Sequence, residues 1–207
     1  SSSTQDDWYL RSRRRAIQSS PSENMSSADR AALVALFRST DGANWKTKSN
    51  WNTDAGLATW GGVKLNHAGR VVELYLPFNN LHGPIPEALG ALSELTYLAM
   101  NDNKLTGSIP GGLGALGKLE ELVLFSNQLS GAIPEALGAL SELTHLAIED
   151  NKLTGPIPEQ LGSLGKLEYL CVHSNQLSGG PAEGESLESW RARLRQQEQA
   201  AVREDPQ

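Results

Sequence analysis

Two stretches of the chain hold residue types whose spacing could do chemistry. The first is GGLGALGKLE, Gly111 to Glu120. Gly112, Gly114 and Gly117 satisfy G-x-G-x-x-G, and Gly112 to Lys118 nearly satisfies G-x-x-x-x-G-K-[ST]. Both patterns describe loops whose backbone N–H groups cradle nucleotide phosphates. Leu119, however, stands where the second pattern needs a metal-binding hydroxyl. The first needs a strand before it and a helix after it, whereas here a strand pattern follows. The second stretch contains His145, Glu149, Cys171 and His173. A thiol beside an imidazole could serve a Cys/His hydrolase, and Glu149, Cys171 and His173 are metal-ligating types. Along a strand, His145 would lie about 13 Å from Glu149. Two or three ligands do not complete a tetrahedral cage, and no orienting group or oxyanion hole is suggested. The sequence therefore assigns no catalytic residue, no metal and no cofactor.

Composition narrows the classes. A formal charge of −6 over 207 residues argues against a nucleic-acid binder that works by neutralising phosphates. No apolar run approaches the ~20 residues that span a bilayer. The one cysteine, Cys171, excludes an internal disulfide, and an unpaired thiol leans towards a reducing, intracellular compartment. Asn24-Met25-Ser26 is the one glycosylation sequon, and RSRRR near the start reads as a solvated tail.

The elements that would position these residues come from repetition. From Gly69 the chain repeats every 24 residues, as in SELTYLAMNDNKLTGSIPGGLGAL followed by GKLEELVLFSNQLSGAIPEALGAL. Val71, Leu95, Leu119, Leu143 and Leu167 share one apolar column. Leu74 to Leu170 and Leu76 to Val172 make two more, and Asn79, Asn103, Asn127, Asn151 and Asn175 make a polar one. The L-x-L alternation has the period of a strand with leucine facing inward. An amide among apolar columns must be hydrogen-bonded to the turn backbone, because burying it unpaired is costly. One row cannot bury its own apolar face, so rows must stack. The glycines of the opening stretch then become loop residues: Gly114 shares a column with Gly90, Gly138 and Gly162, and Leu119 is core. Alternate rows share SELT and GKLE, which suggests duplication of a two-row unit.

Both ends differ from the rows. Residues 26–68 read as an N-terminal cap. Ser26 and Asp29 have capping-box spacing, Leu33, Leu36 and Phe37 share a helical face, and Gly42 ends the helix. Trp45, Trp51 and Trp60 are core, and Val63–Leu65 forms a hairpin with the first row through Asn66–Gly69. Residues 181–207 read as a capping helix with Leu187, Trp190 and Leu194 on its apolar stripe, followed by a tail. Residues 1–25 read as a disordered polar tail.

The rows match L-x-x-L-x-L-x-x-N-x-L-[ST]-G-x-I-P-x-x-L-G-x-L and so resemble the leucine-rich repeat family, in its plant-type subclass. The resemblance implies an α/β right-handed solenoid of five rows over 69–180, the last truncated. A short parallel sheet would line its concave face, and the asparagines would form an internal ladder. The cap resembles C-x-W-x-G-V-x-C at Trp60, Gly62 and Val63, but Ala58 and Leu65 stand in place of the cysteines. The typical cap disulfide is therefore missing.

The side chains between the leucines vary from row to row and should face outward. They are Glu73, Tyr97, Glu121, His145 and Tyr169; Tyr75, Ala99, Val123, Ala147 and Cys171; Pro77, Asn101, Phe125, Glu149 and His173; and Phe78, Asp102, Ser126, Asp150 and Ser174. Aromatics and carboxylates mix there without lysine or arginine, although Lys104 and Lys152 flank the face. Aromatics supply contact area and carboxylates select basic partners. The expected partner surface comprises Glu73, Tyr75, Phe78, Tyr97, Asn101, Asp102, Glu121, Phe125, His145, Glu149, Asp150, Tyr169 and His173. It belongs to a monomer that binds a protein or peptide, not nucleic acid, and does not insert into membranes. The alternatives are the recognition portion of a larger receptor kinase or GTPase, and a Cys/His hydrolase.

Overall fold

The computed structural model describes residues 21–180 and 185–193, with side chains from residue 27 onward. Its first element is helix α1, Pro21–Ser39. It begins five residues before residue 26, where the sequence reading starts the cap. Asp29 lies inside this helix, and its side chain is not a cap. Asp29 is fully buried and pairs in bidentate fashion with Arg70 at 2.9 Å, while accepting the Val71 N–H. The helix ends at Ser39, and the left-handed position after it is taken by Asp41 (φ 58°), not by Gly42. Aspartate tolerates that conformation better than most residues with a Cβ.

The three cap tryptophans form the core they were expected to form. Trp45 and Trp51 meet edge to face at 4.8 Å, and Trp51 lies 5.0 Å from Trp60. Each indole N–H finds a backbone carbonyl, on Thr40, Gly61 and Ala55 respectively, as buried tryptophans require. Arg30 closes this cluster by donating to the Thr53 and Ala55 carbonyls and lying over Trp60.

Strand β1, Val63–Leu65, then pairs antiparallel with β2, Val71–Tyr75. From β2 onward the pairing is parallel at one strand per row. The order runs through β4 (Tyr97–Ala99), β6 (Glu121–Val123) and β8 (His145–Ala147) to β10 (Tyr169–Cys171). The remaining strands, β3 (His82–Pro84), β5 (Lys104–Thr106), β7 (Ser130–Gly131), β9 (Lys152–Pro156) and β11 (Gln176–Ser178), make a second, discontinuous line of parallel pairs. Each Ile-Pro pair starts a 3-10 turn, with Pro86, Pro110, Pro134 and Pro158 at its N-cap. Proline suits a position whose N–H has no partner in the turn.

The inward columns are sealed. Leu119, Leu122 and Leu124 are buried, as are Leu113 and Leu116 of the preceding coil. The asparagines form the ladder. Asn103 Oδ1 accepts from Asn79 and Leu81 N–H, and its amide donates to the carbonyls of Leu76, Met100 and Asn101. Asn127, Asn151 and Asn175 repeat the scheme one coil at a time. GGLGA is the 3-10 turn Gly111–Ala115. A Cβ on Gly114 would stand 2.4 Å from the Ala136 carbonyl oxygen of the next coil, so glycine is there for close stacking of turns. Gly117-Lys118 is a rung as well: Lys118 pairs with Glu94 of the preceding row at 2.7 Å, and this contact holds the Glu94 carboxyl below its ordinary range. Lys166 and Glu142 repeat it. The SELT/GKLE alternation therefore places opposite charges side by side.

At the far end, residues 187–193 are helical. Trp190 is fully buried, and its indole donates to the Gly179 carbonyl. Arg191 donates to the Leu164 and Leu167 carbonyls, and Arg193 to that of Gly180 while pairing with Glu185. These arginines tie the cap to the last coil, a role the helical spacing alone did not disclose. Leu194 and Arg195 lie outside the described residues.

Candidate functional site

Parallel register converts the 24-residue period into rows of side chains that run across the strands. Glu73, Tyr97, Glu121, His145 and Tyr169 stand next to one another in consecutive strands. Tyr75, Ala99, Val123, Ala147 and Cys171 form the next row. Continuing the register past the strands sets Asn101 beside Phe125, and Glu149 beside His173.

The rows differ in height. Ala99 is fully buried and Ala147 is 8% exposed, although both lie on the outward side of the sheet. Their small side chains are covered by taller neighbours, so the middle row is a floor. At one end of it Tyr75 and Tyr97 stack at 6.2 Å, and Tyr75 lines a cleft with Thr47, Gly61, Pro77 and Asn79. At the other end His145 and Tyr169 lie 5.8 Å apart. Tyr75, Phe78 and Tyr169 are 54%, 63% and 53% exposed, and they are the large apolar side chains left open to solvent among the described residues. All three come from the variable columns.

The electrostatics are acidic, with one correction. Strand β1 adds a lysine to the face: Lys64 lies opposite Glu73 and pairs with it at 2.5 Å, so Glu73 is not a free carboxylate. Glu121, Glu149, Asp102 and Asp150 remain without a basic partner in the described ion pairs. Burial, then the charges of Glu121, Tyr75 and Glu73, raises the Tyr97 phenol above its ordinary pKa. The Cys171 side chain, then burial and Glu149, does the same to Tyr169.

Asn101 is a second correction. It is 8% exposed and its amide donates to Asp102 at 2.7 Å, so it supports the face and has little surface to offer a partner. Phe125, Glu121, His145 and Glu149 are half-buried, and Asp150 and His173 are exposed.

One column carries strain that the sequence did not announce. Phe78, Asp102, Ser126, Asp150 and Ser174 all adopt the left-handed conformation, with φ between 51° and 53°. Aspartate is among the residues that visit it readily, whereas for a bulky aromatic it is an outlier. Such outliers cluster at functional positions because the strain is held for a reason other than stability.

The profile described as "Leucine rich repeat" matches residues 69–129 and 118–177. The chain belongs to the leucine-rich repeat family. It is 43% identical over 91 residues to the leucine-rich repeat receptor-like serine/threonine-protein kinase RGI4 of Arabidopsis thaliana, a match that covers 39% of this chain and 8% of that protein. It is 38% identical over 101 residues to the Arabidopsis probable inactive receptor kinase At1g48480, of which it covers 15%. The chain thus spans a small part of these relatives. The solved ectodomain of Arabidopsis BIR2 superimposes with a TM-score of 0.67 at 33% identity, over 72% of this chain and 81% of that one. A chain in the solved complex of BIR3 with SERK2, also from Arabidopsis, gives 0.63 at 32% identity, over 75% and 86%. These comparisons bear out the plant-type repeat reading. They lend no support to the intracellular lean drawn from the single thiol, since BIR2 is described as an ectodomain.

Proposed function

We propose that this chain is a non-catalytic recognition module, the ligand-reading portion of a receptor, which binds a protein or an extended peptide across the outward face of its sheet. The observation that carries the reading is where the exposed aromatics fall. Structural aromatics such as Trp60 and Trp190 are buried, while Tyr75, Phe78 and Tyr169 stand open in columns that do not repeat. Exposed aromatics are the usual anchors of binding energy. The four unpaired carboxylates favour a segment with basic side chains. From β2 to β10 the floor spans four inter-strand gaps, about 19 Å, which fits about six extended residues. Similarity to a receptor-like kinase, to the ectodomains of BIR2 and of the receptor kinase SOBIR1, and to a chain solved in the BIR3–SERK2 complex supports a receptor role and an extracellular address.

The test is to pan a display library of peptides about seven residues long against the chain, then measure the enriched peptides by titration. Basic and aromatic residues should be enriched. Tyr75→Ala should weaken binding about tenfold, or ~1.4 kcal/mol, and Glu121→Lys should weaken chiefly the basic peptides. Peptides that bind Tyr75→Ala and Glu121→Lys as they bind the original chain would remove the concave face as the site.

Phe78→Asn separates function from stability. Asparagine tolerates the left-handed position better than phenylalanine, and the ring is mostly in solvent. The substitution should stabilise the chain by about 0.5–1 kcal/mol while lowering affinity for the same peptides. Thermal melting and titration on one preparation check both. A destabilised variant would mean that Phe78 is held by packing.

A further inference from the structure

At the β8–β10 end of the face, three ligand types converge. Glu149, Cys171 and His173 each offer an atom, and these atoms lie within 4.8 Å of one another. Strand arithmetic brings them together. Cys171 and His173 are two residues apart, and so share a face of the chain. The pairing of β10 with β8 continues past the strands: Ile148 N–H donates to the Cys171 carbonyl and Asp150 N–H to that of His173, which sets Glu149 alongside both.

Two further observations point to an occupant. Glu149 Oε2 is shut off from water and has no hydrogen-bond partner, and Glu149 is in no described ion pair. A carboxylate oxygen in that position is costly unless something compensates it. His173 Nδ1 lies 3.2 Å from Ser174 Oγ, where a hydroxyl can hold the ring and leave Nε2 free. Metal-bound histidines are held in the same manner through their other nitrogen.

We propose that Glu149, Cys171 and His173 form a three-ligand site for a zinc-like divalent cation, with the fourth position open on the concave face. Thiolate, imidazole and carboxylate together suit Zn2+ and disfavour Mg2+ and Ca2+, which prefer oxygen. Ligand bonds of about 2.0–2.3 Å in a tetrahedron put the ligands ~3.4 Å apart, so side-chain rotations of the order of 1 Å close the site. On binding, the Cys171 S–H proton leaves to solvent as the sulfur–metal bond forms. One thiolate and one carboxylate then balance the two positive charges, with no change of oxidation state.

The site stands whether or not the face docks a peptide, and the test needs no peptide. The 207-residue chain, free of any histidine tag, reduced and stripped of metal, is titrated with Co2+. The expected result is one equivalent bound with tetrahedral d–d bands and a thiolate-to-cobalt charge-transfer band, both removed by Zn2+. Cys171→Ser should abolish the charge-transfer band. Glu149→Gln and His173→Ala should each weaken Zn2+ binding at least tenfold, and Ser174→Ala about tenfold. Circular dichroism of each variant confirms that the fold is kept. Tyr75→Ala, at the other end of the sheet, should bind metal as the original does, so a failure of docking and a failure of metal binding are told apart. Absence of the charge-transfer band, or a Glu149→Gln variant that binds Zn2+ unchanged, would overturn the proposal.

Discussion

Replacing Asp29 with alanine should cost about 4 kcal/mol of stability. Asp29 and Arg70 side chains are 0% and 6% exposed. The guanidinium makes two bonds to the carboxylate and one to Ser93 Oγ, and its Nη1 is buried without a partner. The hydrogen bond and charge of Asp29 raise the Arg70 pKa further, so the arginine cannot escape by losing its proton. Without Asp29, a buried cation keeps a single hydroxyl partner and the Val71 N–H loses its acceptor. Breaking a buried pair in this manner costs about 3–5 kcal/mol, whereas replacing both partners by apolar groups is often neutral. Asp29→Leu with Arg70→Met should therefore recover most of the loss. Urea unfolding followed by circular dichroism measures both. For a domain of this size, 4 kcal/mol corresponds to roughly 8–16 °C in Tm. A loss below about 1 kcal/mol would show that α1 is not latched to the first coil through this pair.

That pair also shows where reading the sequence stops. Leu119, Asn127 and Gly114 were legible because each is one sample of a column, and a column reports a geometry that recurs. Asp29 and Arg70 occur once, far apart in the chain, and capping-box spacing offered a local explanation for Asp29, whose carboxylate instead pairs with Arg70. Lys64 was missed on the concave face because its place depends on the pairing of β1 with β2, not on the period. Asn101 was placed on the partner surface because alternation reports direction, not height; its neighbours cover it. The left-handed column was hidden for a similar reason. Asp102, Ser126, Asp150 and Ser174 are common turn residues, and only the folded backbone shows that Phe78 shares their conformation. The convergence of Glu149, Cys171 and His173 was half legible. The register was in the sequence, while the unpartnered Oε2 was not.

Asn127→Ala should cost about 3 kcal/mol, and its cause can be isolated by comparison along the ladder. The amide donates to the carbonyls of Met100, Leu124 and Phe125, and its oxygen accepts from Leu105 N–H. The three carbonyls each keep a donor: Asn103 on Met100, Asn151 on Leu124 and Asp102 N–H on Phe125. Leu105 N–H keeps none. The loss is then one orphaned buried donor plus a small cavity, and not four broken bonds. Asn175→Ala, in the less buried last coil, should cost under about 1 kcal/mol because water can replace the amide. Asn127→Asp tests the polarity of the site. It retains an acceptor for Leu105 but aims negative charge at three carbonyl oxygens, which raises the folded pKa of the new carboxyl above its unfolded value of about 3.9. The folded state then holds the proton more tightly, so the deficit is small near pH 4 and grows as pH rises through the folded pKa. A pH-independent deficit would mean that the coils open locally to hydrate the charge. Because each coil touches only its neighbours, that opening would divide the array at the row that carries Phe125, in the middle of the proposed recognition face.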